Sequence, residues 1–421
     1  MEAAPEVIVV GGGLAGLAAA MSAKRAGATV TLLEGRSEIG GRARTEDRHG
    51  FRFNQGPHAL YLGGDAVRVL REFGVRPNGS RPPLLNAELV EDSRPRLARN
   101  PRTLGWQGAR ALTRGLRPSA AARADGQSLA AWLNRIDDDP TRDVMAALFR
   151  ITSYLADPAT TDAAAALTQM RLAMRGVVYL HDGWGSLVNS LRDAAVTAGV
   201  TIEADQRVTG VQVSSDGVIV STATGNRVCR SVVLANGGAA HADRLVGSRS
   251  PTLTEWAAAA RPATAACLDI ALRRLPNDRH TTLLGTDRPT YLVVHTKAAR
   301  LAPPEGGELL HALWYEPDLT PTLDHRVELE GLLDSVQPGW RAELVDARYS
   351  RRLVVCHDRP RPHVTGAQRP DTCLADLPGV HLAGDWITTN GLLADAAVGS
   401  GRRAGVGAAR AARSPIPLAL P

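Results

Sequence analysis

The chain has 421 residues, of which 44% are hydrophobic and 22% charged, with 41 Gly, 26 Pro and 4 Cys. This is a globular composition, not a disordered, collagen-like or disulfide-stapled one, and the length is enough for two or three domains. The formal charge of +6 comes almost wholly from arginine, since Lys24 and Lys297 are the only lysines. Arginine and alanine richness of this kind follows from GC-rich coding, so no nucleic-acid partner is inferred from it.

Residues 7–23 carry no charge, which imitates a leader or membrane segment, but the preceding residues hold two acids and no base, and three glycines interrupt the run. No processed or anchored N-terminus is expected. The same stretch reads better as strand, turn and helix. Val7-Ile8-Val9-Val10 suits a strand buried on both faces, and Gly11-Gly12-Gly13-Leu14-Ala15-Gly16 gives G-x-G-x-x-G directly after it. A helix of small residues follows, Gly27 ends it, and 28–33 forms a second strand with Glu34 at its carboxyl end, 23 residues after Gly11. Each part has a physical reason. Gly11 permits the tight turn, Gly13 lets the backbone approach a pyrophosphate, and Gly16 allows close helix–strand packing. The N–H groups of the helix N-terminus, from Leu14 and Ala15 onward, meet the phosphates, and Glu34 accepts from the ribose hydroxyls.

Arg36-Ser37-Glu38-Ile39-Gly40-Gly41-Arg42-Ala43 follows the acid, after Gly35. With this segment the chain resembles the flavin amine oxidase and phytoene desaturase superfamily of FAD enzymes. The resemblance implies that Gly40, Gly41 and Arg42 wrap the pyrophosphate of a non-covalently bound FAD, with Gly35, Arg36 and Ala43 beside them. Phe53-Asn54-Gln55-Gly56-Pro57-His58 resembles the next block, placing Gly56, Pro57 and His58 near the flavin ring. Gly379-Val380-His381-Leu382-Ala383-Gly384-Asp385-Trp386 resembles the last block, where Gly384 and Asp385 meet the pyrophosphate and ribityl chain. The small-residue helix that follows would bring Leu393 and the N–H groups around Ala394 to the flavin O2 and N1 edge.

Between these ends, His181-Asp182-Gly183-Trp184-Gly185-Ser186 opens a helix that Gly199 ends. Strands are expected at 200–202, 208–213, 218–221 and 231–235. By resemblance, the backbone of Val208 holds the adenine. The expected class is α/β: a Rossmann-type FAD-binding domain of the glutathione-reductase kind, interleaved with an α+β substrate domain that contains a mainly antiparallel sheet. The first is assigned to 1–64, 178–245 and 375–413, the second to 65–177 and 246–374, with a tail at 414–421. Segment 65–177 reads as mainly helical and holds eight arginines and no acid between Arg94 and Arg123. A solvated arginine face is favoured there over an anionic membrane surface or an acidic ligand. In 246–374, strands are expected at 265–272, 291–295 and 309–315, then a helix at 326–336.

The chemistry implied is hydride transfer from a substrate C–H to flavin N5, with oxygen or another acceptor reoxidising the cofactor. Amine oxidases of the superfamily have a lysine near N5 and an aromatic pair around the substrate nitrogen. Here Lys297 sits in a loop resembling the desaturase branch, and Leu393 stands where the second aromatic is expected. The segments 329–333, 337–341 and 383–386 likewise resemble bacterial phytoene dehydrogenase-like proteins. A dehydrogenase or desaturase of a small biosynthetic, possibly isoprenoid, metabolite is therefore expected, with an amine or amino-acid oxidase, a flavin-dependent isomerase or a non-turnover flavin-binding protein as alternatives. His58 is the candidate proton carrier, against a reading in which it only satisfies a backbone group; Tyr61 and Trp386 are candidates for shaping the substrate pocket. Scattered cysteines with no CxxC spacing indicate a reducing cytoplasm and no zinc or iron–sulfur site. Oligomeric state is left open.

Overall fold

The computed structural model describes residues 5–82, 87–91, 94–98, 105–316, 324–363 and 370–414. The expected tail lies outside these residues from 415 onward, as do 99–104 of the arginine-rich segment. Among the described residues, no helix is long and apolar enough to cross a membrane.

Five short strands make a parallel sheet in the order Thr201–Glu203, Val30–Leu33, Val7–Val10, Ser231–Leu234 and Val380–Leu382. The central strand is fully buried, and its alternating side chains feed two separate cores. Val7 and Val9 pack under the helices Leu14–Arg25, Trp184–Thr197 and Leu393–Ala411. Ile8 and Val10 pack on the opposite side, with residues from a three-stranded sheet (Val208–Ser214, Gly217–Thr222, Gly225–Cys229) and helix Ala239–Leu245. Each such aliphatic side chain, fully buried, contributes about 1.5–3 kcal/mol relative to exposure, which is why an unbroken apolar run is stable only as a two-faced strand. The first and last helices pack backbone to backbone: a Cβ on Gly401 or Gly405 would lie 2.2 Å from Ala15 O or 2.1 Å from Ala19 O. Helices Leu14–Arg25 and Leu393–Ala411, far apart in sequence, are thus held together.

A second, seven-stranded sheet runs in the order Leu344–Cys356, Ala263–Leu272, Glu308–Glu316, Thr290–Val294, Thr282–Gly285, Ala87–Glu91 and Arg94–Ala98. It is antiparallel except where Thr282–Gly285 meets Ala87–Glu91. One face carries Ala266, Leu268, Ile270 and Leu310 against helix Arg326–Val336; the other carries Ala265, Cys267, Leu309, Leu313 and Tyr315. Strands Ala87–Glu91 and Arg94–Ala98 depart from the expectation of a mainly helical segment, because Glu88 and Glu91 leave no clean apolar alternation there and the first strand pairs with the distant Thr282–Gly285. Six helices do occupy much of the remainder of 65–173. The described arginines Arg110, Arg114, Arg117 and Arg123 are all exposed.

Candidate functional site

Between the two sheets lies a cavity of about 510 Å³. One wall begins at the turn after Val7–Val10. Gly11 has φ +105°, a conformation open to glycine, and a Cβ on Gly16 would fall 1.8 Å from Gly11 O, so only glycine lets the helix start this close to the turn. Gly13 differs in kind. A Cβ there would meet nothing nearer than Gly40 O at 4.0 Å, so the backbone faces open cavity. Helix Leu14–Arg25 has no side-chain cap and no acid in its first turn. Its free N–H groups and dipole therefore make an anion cradle.

Glu34 lines the cavity beside this helix; its Oε2 accepts from Gly12 N at 2.7 Å and Oε1 from Arg36 N at 3.0 Å. A carboxylate offers about four lone-pair sites, so acceptor capacity remains for ribose hydroxyls. Gly40 N donates to Gly12 O at 2.8 Å, which docks the second glycine pair against the first. Gly40 and Gly41 both have positive φ, a conformation open to glycine.

Arg42 is arranged differently from the sequence expectation of a guanidinium forked onto phosphate. Its Nη1 donates to Val355 O at 2.6 Å and its Nη2 to Asp385 Oδ2 at 2.7 Å. Asp385 Oδ1 also accepts from His357 Nδ1 at 2.8 Å. Burial alone would raise the Asp385 pKa, but Arg42 and His357 outweigh it and hold the carboxyl well below the usual carboxylate range. The last segment is therefore clamped to the first by a buried carboxylate. His357 was not found from sequence, because it stands in no motif.

Of the expected cofactor residues, Gly11, Gly13, Leu14, Ala15, Glu34, Arg36, Gly40, Gly41, Arg42 and Ala43 line the cavity, as do Gly56, Pro57, His58, Gly384, Asp385, Leu393 and Ala394. Gly16, Gly35 and Val208 do not: Gly16 is buried in helix packing, Gly35 lies against Arg207, and Val208 faces the second core. Tyr61 and Trp386, expected at the substrate pocket, are also outside it. Tyr61 is 3% exposed and donates to Thr152 O at 2.8 Å, and Trp386, 1% exposed, fills the core beneath the parallel sheet. Both are large side chains consumed by packing.

Ala59, Tyr154, Ala265, Leu313, Leu353 and Leu393 belong to one hydrophobic cluster and form an apolar wall of the cavity, the roof of a substrate chamber. Tyr154 and Leu393 have φ of 60° and 57°, strained values for side chains with a Cβ. Tyr154 OH donates to Pro57 O at 3.1 Å, which ties the roof to the His58 segment. The His58 Nδ1 lies 3.0 Å from Gly56 O. A carbonyl only accepts, so Nδ1–H donates and Nε2 keeps its lone pair. Burial pushes the His58 pKa down to about 4, with the Gly56 hydrogen bond opposing it, so the ring is a neutral base near pH 7. The Nδ1 contact is the backbone-satisfying role weighed from the sequence. Lys297 lies away from the cavity, its Nζ bound to Asp278 at 2.9 Å and Glu308 at 2.8 Å.

Near the start of the last helix, Asp395 is 1% exposed and accepts from Ala66 N at 2.9 Å through Oδ1, while Oδ2 has no partner. Burial raises its pKa to about 7. Cys267, Asp269 and His311 also converge, with ligand-type atoms within 4.8 Å of one another, although 42 residues separate Asp269 from His311. Sequence spacing gave no sign of this pairing, which arises from strand register alone.

The fold matches that of a solved oxidoreductase from Methanosarcina mazei at TM-score 0.77, with 18% identity over 94% of this chain and 98% of that one. Among curated proteins, a carotenoid 3,4-desaturase of Haloarcula japonica is 47% identical over 73 residues, 17% of this chain and 14% of the desaturase. An L-amino-acid oxidase of Naja atra is 45% identical over 75 residues, 17% of this chain and 15% of the oxidase. These matches span about one seventh of the relatives' length. Residues 14–406 match the family model of the flavin containing amine oxidoreductases, and the chain belongs to that family.

Proposed function

We propose that the protein is an FAD-dependent dehydrogenase or desaturase that takes a hydride from a C–C or C–N bond of a small, neutral and largely apolar biosynthetic metabolite. FAD, held non-covalently, would supply the hydride acceptor, and oxygen or another acceptor would regenerate it. The residues present fit that group. Gly13 leaves room against the helix N-terminus, Glu34 retains acceptor capacity, and Asp385 is an ionised, buried carboxylate on the cavity wall.

The observation that carries the substrate class is the lining of the far chamber. Its walls are Ala59, Tyr154, Ala265, Leu313, Leu353 and Leu393. The acids that line the described cavity are Glu34 and Asp385, and both are already engaged with backbone donors or with Arg42 and His357. An ammonium group would find no free counter-charge beside it, whereas an apolar body would be desolvated against this wall. His58 is the group that would accept a proton from the substrate, through Nε2.

Two measurements test this reading. Acid-denatured protein is expected to release a flavin that chromatographs as FAD, at one per chain; a correctly folded protein with no capacity for FAD contradicts it. With a reducing substrate in hand, His58→Ala should slow flavin reduction about 10²-fold or more while leaving FAD content unchanged.

A further inference from the structure

The last helix reaches the cavity wall through a turn that is strained and held from outside. Leu393, Ala394 and Ala397, at the start of Leu393–Ala411, line the cavity. Leu393 has φ +57°, in the left-handed region that a side chain with a Cβ avoids. The residue before it, Leu392, is the N-cap, and its carbonyl accepts from Asp395 N at 3.1 Å and Ala396 N at 3.4 Å. Its own N–H donates to Gln169 Oε1 at 2.9 Å. Leu392 offers no side-chain cap, and the N–H groups of Leu393 and Ala394 lie too early in the helix to meet an intrahelical carbonyl.

Gln169 belongs to another part of the fold. It lies on helix Ala163–Ala173, whose Leu167 and Met170 pack with Trp132 and Phe149 in a core of helices, and it is 0% exposed. Burying a carboxamide is costlier than burying an apolar side chain of like size, so its presence calls for a reason. The same helix gives the turn a steric stop: Gly391 has φ +122°, and a Cβ there would come within 2.9 Å of Leu172 Cδ1. A second helix, Asp65–Glu72, holds the next residues. Asp395 Oδ1 accepts from Ala66 N at 2.9 Å, and a Cβ on Gly64 would collide with that carboxyl group. Strain of the kind seen at Leu393 persists only where the surroundings over-determine the backbone, and these two helices do so.

We infer that Gln169 is a positioning residue: by holding Leu392 N it fixes the strained turn that presents the Leu393 and Ala394 N–H groups to the cofactor, and it thereby sets the reduction potential of the bound flavin. The inference rests on the reading that FAD occupies the cavity with its flavin end at Leu393 and Ala394. A hydride carries two electrons and one proton, so the group that receives it gains one negative charge. N–H groups at a helix N-terminus interact more strongly with that charge than with a neutral ring, provided that they stay in place. Gln169 is not among the residues that line the cavity, so it acts through Leu392 and not by contact with the cofactor.

The test reads equilibria and needs no substrate. The midpoint potential of the FAD-loaded protein is measured by anaerobic equilibration with indicator dyes, and oxidised-FAD affinity by fluorescence titration. Gln169→Met, similar in size but without an acceptor oxygen, is expected to bind oxidised FAD within about threefold of the parent. Its affinity for reduced FAD relative to oxidised should fall about 5- to 10-fold, seen as a lower potential. Gln169→Glu at pH 6, where a buried glutamate without a cationic partner stays neutral, keeps the oxygen and is expected to retain the parent potential. If the methionine variant does not fold, Gln169→Asn withdraws the oxygen by one methylene and serves instead, with a shift in the same direction. An unchanged potential in the methionine or asparagine variant, even with a lowered melting temperature, overturns the inference, as does a glutamate variant whose potential falls as far as the methionine variant's. Failure of the FAD reading appears elsewhere, as a folded parent protein that takes up no FAD.

Discussion

The two ends of the cavity are built by different means. The cradle end is made of backbone: glycine turns, a helix N-terminus and one carboxylate, supplied by segments that meet where the parallel strands end. The chamber end is made of side chains from strands and helices far apart in sequence, such as Tyr154, Ala265, Leu313 and Leu353. Backbone geometry demands particular residues at fixed spacing, whereas a wall of side chains demands only volume and polarity. The first end is therefore rigid in its requirements and the second free to vary, which is how one family takes different substrates over one cofactor.

The largest predicted effect belongs to the cradle. Gly16→Val puts side-chain atoms into Gly11 O and is expected to cost several kcal/mol, seen as loss of bound flavin and of a cooperative melt. Glu34→Ala should keep the fold and weaken FAD binding about 10- to 100-fold by fluorescence titration, since charge-assisted hydrogen bonds contribute about 1.5–3 kcal/mol. Asp395→Asn should act through pH. A carboxyl whose folded pKa is raised to about 7 favours the folded state below its unfolded pKa of about 4, and that contribution is lost as pH rises through about 7. The asparagine variant should be more stable than the parent at pH 8, by roughly 2 kcal/mol or more, with the difference vanishing near pH 4; melts at the two pH values check it. The smallest effect is expected at Lys297→Met, which removes two ion pairs away from the cavity and should leave flavin content and reduction rate unchanged. A large loss of rate there would assign the chamber to amine chemistry instead.

The same contrast explains what was legible in the sequence. Much of the cradle could be read locally, because Gly11 and Gly16 answer steric demands of the turn and Gly13 leaves its backbone open to the cavity, and 17 of the cofactor residues named from sequence line the cavity. Arg42 lines the cavity, but its partners were not foreseen, since Asp385 lies 343 residues away and the Val355 carbonyl belongs to the other sheet. Tyr61 and Trp386 looked like pocket residues only by being large and near motifs; burial in the cores claimed both. Asp269 and His311 were invisible, because nothing local distinguishes a roof-facing polar residue from one facing helix Arg326–Val336 until strand register is known.

The most direct test of the central claim is anaerobic absorbance spectroscopy of the FAD-loaded protein against a panel of neutral apolar alcohols, alkenes and terpenoids beside charged diamines and amino acids. Stoichiometric bleaching of the flavin band by a neutral apolar member, with none by the charged ones, is the result expected from a chamber without a free counter-charge. Bleaching by a charged amine alone would contradict it.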